Sequence, residues 1–252
     1  MSPKSLATKS TAMEYFLEHL PGSSVQDSIA KIFLFGSFAR GEVDERSDVD
    51  LLVFSFDRLR EVREACADAS FEAALKYGES VEPLVYCVDD LRYVPSHFLY
   101  SVLSRGKEIY TVPEEELVVR EARNYLDLAR EYLAQAKNSF GVGDLRLAVD
   151  GAYNACELCC KGLLLLKLNE IPRTYGGIVQ KFGELYVKAK IVPELTGRRL
   201  NLGLDLRNRA RYDFHARIDR EDAAEVVKLA EALIDTLDNQ LMERRTGEGA
   251  GP

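Results

Sequence analysis

The chain has 252 residues, 46% of them hydrophobic, with a formal net charge of −8 and five cysteines. That length suits one large domain or two ordinary ones, and the hydrophobic share is sufficient for a core. The negative balance excludes broad non-specific binding of nucleic acid, no apolar run approaches the roughly 20 residues of a membrane-spanning helix, and an odd cysteine count fits a reducing compartment better than a disulfide framework.

The first residues lack the apolar segment of a signal peptide, so the chain is expected to be cytoplasmic. Residues 9–20 read as a helix ended by Pro21-Gly22, with His19 on its exposed side. Ile32-Phe33-Leu34-Phe35 is an apolar run short enough to be a buried strand. It stops at Gly36-Ser37, and Gly41 closes what reads as a single helical turn. A strand that ends in Gly-Ser and opens a helix leaves backbone N–H groups free to hold a phosphate. Ser37 adds a hydroxyl donor and Arg40 a cation.

The next strand opens with Ser47-Asp48-Val49-Asp50-Leu51-Leu52-Val53. Side chains alternate across a strand, so Asp48 and Asp50 are expected on one face and Val49, Leu51 and Val53 on the other. Two carboxylates so close repel each other unless a cation neutralises them. A pair of Mg²⁺ ions, which prefer carboxylate and phosphate oxygens, meets that need. A phosphate cradle beside metal-binding carboxylates points to phosphoryl or nucleotidyl transfer.

Asp57 is placed to cap a helix running to Tyr77, with Leu59, Val62, Ala65, Ala69 and Ala73 at helical spacing and Gly78 as terminator. Residues 80–88 read as a third strand, with Glu82 a carboxylate early in an apolar run. Asp89 and Asp90 are expected to cap a helix over 90–104, and residues 107–112 form a last strand before Pro113. From there every segment reads as helix: 115–138, 145–168, 174–190, 194–213 and 219–245, the last capped by Asp219. The expected division is therefore 1–113, 114–246 and a flexible tail, 247–252. Residues 1–113 hold 12 Lys and Arg against 18 Asp and Glu, whereas seven arginines fall between Arg198 and Arg220. Cys156, Cys159 and Cys160 lack a fourth ligand nearby for zinc, and their helical spacing suits packing.

The Gly-Ser turn followed by Asp-x-Asp resembles the nucleotidyltransferase superfamily of DNA polymerase beta, most closely its minimal prokaryotic branch. Gly36, Ser37, Asp48 and Asp50 match that pattern position for position. The resemblance implies an α+β domain with a small mixed sheet. It also implies a third acidic residue beside the Asp-x-Asp pair, for which Glu82 is the candidate. Residues 152–164 and 206–216 are similar to segments of HEPN domains, helical bundles found beside minimal nucleotidyltransferases. Many HEPN domains are ribonucleases using Arg, four to six residues, then His; Arg209 and His215 have that spacing, but Ala210 stands where a polar residue is usual, so the ribonuclease site is read as lost, with Arg207, Arg209 and His215 kept for binding or packing.

The combined expectation is an α+β nucleotidyltransferase domain followed by an all-α bundle. Its activity would be Mg²⁺-dependent transfer of a nucleoside monophosphate, AMP from ATP, to a hydroxyl on a small molecule or a protein. Asp48, Asp50 and Glu82 would be catalytic and hold two Mg²⁺ ions, while Gly36, Ser37 and Arg40 would bind the nucleoside triphosphate. Resemblance also implies a homodimer. In kanamycin nucleotidyltransferase a glutamate of the helical domain helps activate the acceptor. By that resemblance Glu157 is the candidate for the role, although a pair with Lys161 is the expected use of it. Tyr212 is read as a buried aromatic or as an internal acceptor. Two further readings stay open: a nucleotide-binding regulatory module without catalysis, and a HEPN ribonuclease restrained by its fused partner as in toxin–antitoxin pairs. RNA is the less favoured partner.

Overall fold

The computed structural model describes residues 3–20, 24–42 and 47–247. The chain forms two compact units, one through Leu117 and the other from Val118. Among the described residues no helix is long and apolar enough to cross a membrane.

The first unit is a four-stranded mixed sheet in the order β3-β2-β1-β4, made of β1 (Ile29–Phe35), β2 (Val49–Ser55), β3 (Val81–Cys87) and β4 (Lys107–Thr111). β1 runs antiparallel to β2 and β4, while β2 and β3 are parallel. The two central strands are covered on both faces, which is why they read as near-continuous apolar runs. On one face, α1 (Pro3–His19) and α3 (Leu59–Tyr77) pack Ala12, Phe16, Val62, Cys66 and Ala73 against Leu51, Val53 and Val81. On the other, Leu99 and Val102 of α4 (His97–Arg105) join Leu52 and Phe54. β1 starts three residues earlier than its apolar run because Lys31 can sit in the strand, paired at 3.0 Å with Glu108 of β4.

Two expected caps are replaced. Asp57 does not cap α3: its carboxylate accepts from the Ser28 hydroxyl at 2.5 Å, and Arg58, in the left-handed region, takes the cap position. Gly78 ends α3 as expected, with its N–H on Ala74 O. Asp89 and Asp90 do not open a long helix either. Residues Val88–Leu91 form a 3-10 turn in which Asp90 accepts from the Cys87 N–H, and Ser96 caps α4 six residues further on. The Pro21-Gly22 stop and residues 248–252 of the expected tail lie outside the described residues.

The second unit consists of α5 (Glu114–Val142), α6 (Leu145–Leu165), α7 (Tyr175–Phe182), α8 (Glu194–Tyr212) and α9 (Arg220–Gly247), the division between the units falling inside α5. The expected helix over 174–190 is shorter, because α7 passes into a π turn at Gly183–Val187. α6 is the axis of this core. Its Ala152, Tyr153, Cys156, Cys159, Cys160 and Leu163 are buried with Leu126 of α5, Leu206 of α8 and Leu233 and Leu237 of α9. The three thiols sit in that apolar interior as small core residues, and burial pushes each well above its ordinary pKa. Asp219 caps α9, accepting from the Asp222 N–H at 2.8 Å.

Candidate functional site

The catalytic candidates of the first unit come together where β1 turns into α2 (Gly36–Arg40). Gly36 has φ +71°, a region that L side chains rarely adopt, and Gly41 closes the turn with φ +72°. Phe35, the last residue of β1, pairs with Asp50 on β2, and Asp50 pairs with Glu82 on β3. Residues directly opposite one another across a sheet share a face. Phe35, Asp50 and Glu82 therefore form one row, with Asp50 in the middle.

Gly36 is also required for space. A Cβ built on it would lie 1.8 Å from the Asp50 Oδ2 atom. The Asp50 carboxylate thus rests against the bare Cα of the turn, and the carboxylate and the helical turn form one structure. Burial pushes the Asp50 carboxyl above its ordinary pKa, the Glu82 and Asp48 carboxylates push it further, and Arg40 opposes them. Asp48 is half-buried immediately before β2, and Glu82 is exposed on the edge strand β3. Ser37 is half-buried in α2, and Arg40 is exposed with its Nε 2.7 Å from Glu42.

These residues fit a bound divalent cation. A desolvated carboxylate with two like charges beside it is stabilised by a cation, and Mg²⁺ is commonly held by one or two carboxylates together with substrate phosphates. Among the described residues no group of three or more His, Cys, Asp or Glu side chains is arranged to hold a metal ion, so substrate phosphate oxygens would have to complete the coordination. Because Glu82 raises the Asp50 pKa, Glu82→Gln is expected to lower it. A ¹³C NMR titration of the Asp50 carboxyl in metal-free protein checks the direction, and an unmoved titration would mean that the two groups are not neighbours.

In the second unit, Arg209 lies on the exposed side of α8, in a groove with Leu202, Leu206, Asp222 and Leu229. His215 follows α8 in an exposed turn, its N–H donating to Asp213. Tyr212 is 68% exposed, so it is not the buried aromatic expected: it falls at the end of α8, past the last core position, Ala210. Glu157 pairs with Lys161 at 2.8 Å, as its spacing suggested.

The charged cluster that the bundle does bury is centred two residues before Arg209, on Arg207. Its guanidinium is 3.3 Å from Asp150, donates to the Tyr175 hydroxyl at 3.0 Å and lies over the Tyr175 ring. Arg211 reaches the same Asp150 oxygen at 2.9 Å. Arg146 holds the end of α8 and the segment after it through the carbonyls of Ala210, Asp213 and Ala216. Asp150 and Arg146 were invisible as partners in the sequence because they lie on α6, more than 50 residues before α8 ends.

One more residue escaped the sequence reading. Lys9 of α1 is 2% exposed, and its ammonium meets Glu79 at 2.5 Å and the Ser47 carbonyl at 2.6 Å. The available signal was a lysine in register with Ala12, Phe16 and Leu20, on the stripe that α1 turns to the core.

The family model described as polymerase beta, nucleotidyltransferase covers residues 23–115, and the HEPN domain model covers 122–240. Three proteins of Methanocaldococcus jannaschii are related in sequence. One, named "Putative toxin", is 31% identical over 123 residues, which is 49% of this chain and 90% of that protein. Two, named "Putative protein adenylyltransferase", are each 32% identical over 87 and 89 residues. These spans are 34% and 35% of this chain and 83% and 85% of those proteins. Among solved structures the chain is similar to spectinomycin adenyltransferase AAD(9) from Enterococcus faecialis with ATP and spectinomycin. That likeness spans 91% of this chain and 99% of the other at 14% identity, with a TM-score of 0.32. The family matches and the three sequence relatives carry the assignment: the chain is a nucleotidyltransferase of the polymerase beta family, continued by a HEPN domain.

Proposed function

We propose that the first unit transfers AMP from ATP to a hydroxyl group on a protein. The observation that carries this reading is the Asp50 carboxylate, seated on the bare Cα of Gly36 with Glu82 and Asp48 as charged neighbours. Asp48, Asp50 and Glu82 would hold two Mg²⁺ ions, which when bound supply Lewis-acid charge to the triphosphate and lower the pKa of the acceptor hydroxyl.

The chain's own residues do the rest. The backbone N–H groups of Gly36 and Ser37 and the Ser37 hydroxyl hold the triphosphate at the turn, and Arg40 neutralises part of its charge. Glu82 faces solvent on an edge strand, where it can take the proton of an incoming hydroxyl. A groove of about 830 Å³ between α3 and β3, lined by Glu82, Arg63, Ser70 and Tyr86, leaves the acceptor side open. The name carried by two of the relatives favours a protein acceptor over a small molecule. Tyr212, exposed at the end of α8, is the candidate acceptor within the chain. Assembly as a homodimer in the cytoplasm belongs to the same reading.

Mass spectrometry of the purified protein after incubation with ATP and Mg²⁺ tests it. The expected result is an AMP adduct that maps to a tyrosine peptide. Pyrophosphate release that requires an added aminoglycoside would move the acceptor to a small molecule. Nucleotide binding without adduct or pyrophosphate would leave a regulatory module. The relative named as a toxin favours a second reading for the second unit, in which Arg209 and His215 cleave RNA. RNA cleavage that persists in EDTA, and is lost in His215→Ala, is its distinguishing result.

A further inference from the structure

We propose that Lys9 is a positioning residue for the acidic site, a buried clamp that holds the beginnings of β2 and β3 together. Its position on α1 breaks the local pattern. Lys9, Ala12 and Phe16 form the core-facing stripe of that helix, continued by Leu20 just past its end, and a lysine there loses the hydration of its ammonium. Such a group is tolerated only with partners of matching charge and geometry. Breaks in a sequence's own pattern are expected chiefly at functional or strained sites.

The partners given to the ammonium are informative. The Ser47 carbonyl, at 2.6 Å, belongs to the residue immediately before Asp48. Glu79, at 2.5 Å, lies three residues before Glu82. β2 and β3 run parallel and begin side by side, with the Val49 N–H on the Ser80 carbonyl at 3.0 Å. One charged side chain from a third element therefore bridges the two segments that deliver Asp48 and Glu82. Carboxylates that stand opposite one another on paired strands, as Asp50 and Glu82 do, repel, and their segments tend to splay apart. A cation anchored behind them, on backbone and on a non-catalytic glutamate, opposes that tendency without occupying the site.

The inference rests on the reading of Asp48, Asp50 and Glu82 as the cation-binding set, and its test uses three readouts. Lys9→Met keeps the apolar stem and removes the charge. Lys9→Arg keeps the charge, and Glu79→Gln weakens the clamp from its other end. The measurements on the full-length chain are ATP-dependent pyrophosphate release, thermal melting and binding of Mn²⁺ followed by its electron paramagnetic resonance signal. Lys9→Met is expected to lower kcat about 30-fold, to move KM for ATP less than about 3-fold and to weaken Mn²⁺ binding about 10-fold. Lys9→Arg should recover most of both losses.

A folded Lys9→Met protein with wild-type kcat and Mn²⁺ affinity would overturn the proposal. If Lys9→Met does not fold, Glu79→Gln decides: a fall in kcat of about 5-fold at unchanged KM supports the clamp, and wild-type kcat refutes it. A wild-type protein that binds Mn²⁺ but releases no pyrophosphate refutes the transfer reading, and the Mn²⁺ measurement then tests Lys9 alone. Absence of Mn²⁺ binding to the wild type removes the cation-binding set and the clamp with it.

Discussion

Asp50→Asn is expected to reduce nucleotide transfer by about a thousandfold or more while the protein remains folded. The amide keeps the size of the side chain and its place against Gly36 but loses the charge that a divalent cation requires. Stability should hold or rise at neutral pH. The native environment disfavours the ionised Asp50, through burial first and through Glu82 and Asp48 next, so removing the charge relieves repulsion.

The sign of the pH dependence follows from the same shift. A carboxyl whose native pKa is raised contributes most to stability below the ordinary carboxylate range, and that contribution is lost as the pH rises through the native value. Metal-free wild-type protein should therefore lose stability relative to Asp50→Asn across that interval. Urea unfolding at a series of pH values measures the difference, and pyrophosphate release measures the activity. Transfer retained in the Asn variant would remove Asp50 from the mechanism.

Gly36→Ala should be nearly as damaging to activity, for a steric rather than an electrostatic reason. The new Cβ would have to share space with the Asp50 carboxylate, 1.8 Å away, on a backbone at φ +71°. Left-handed strain and the forced displacement together cost about 2–5 kcal/mol, and transfer is expected to fall at least about 100-fold as Asp50 is pushed off the turn. Gly41→Ala is the matched control. It has the same sign of φ, +72°, but open space around the position, so it should pay about 1–2 kcal/mol of backbone strain and keep most of its activity. If Gly36→Ala loses stability through Asp50 in particular, combining it with Asp50→Ala should restore part of the loss in a double-mutant cycle. Additive effects would separate the turn from the carboxylate.

The site was legible in outline because its parts are close in sequence. Gly36, Ser37, Asp48 and Asp50 lie within 15 residues, on a strand, a turn and a strand whose periodicity and glycine punctuation can be read directly. The cysteine-rich helix was also legible, since small apolar residues at helical spacing need only a neighbouring helix to bury them. The replaced caps show the limit of such reading. Asp57 had the chemistry of a helix cap, but Ser28, 29 residues earlier, took its carboxylate. Tyr212 had the chemistry of a core residue, but α8 ends there, and the side chain points into solvent.

The sequence alone determined the order of the elements, the Gly-Ser turn, the Asp-x-Asp strand and the change from a sheet-forming half to a helical half. Each of these follows from local periodicity and turn chemistry. Only the tertiary structure decided that Glu82 faces Asp50 across a parallel pair, that Asp50 needs a residue without a Cβ at position 36, and that Lys9 joins Ser47 to Glu79. Parallel strands must be joined by a crossover, so their register is fixed by packing rather than by a turn. Lys9 meets its partners across 38 and 70 residues of chain, and the sequence pattern does not record which of its many charges will be taken out of water together.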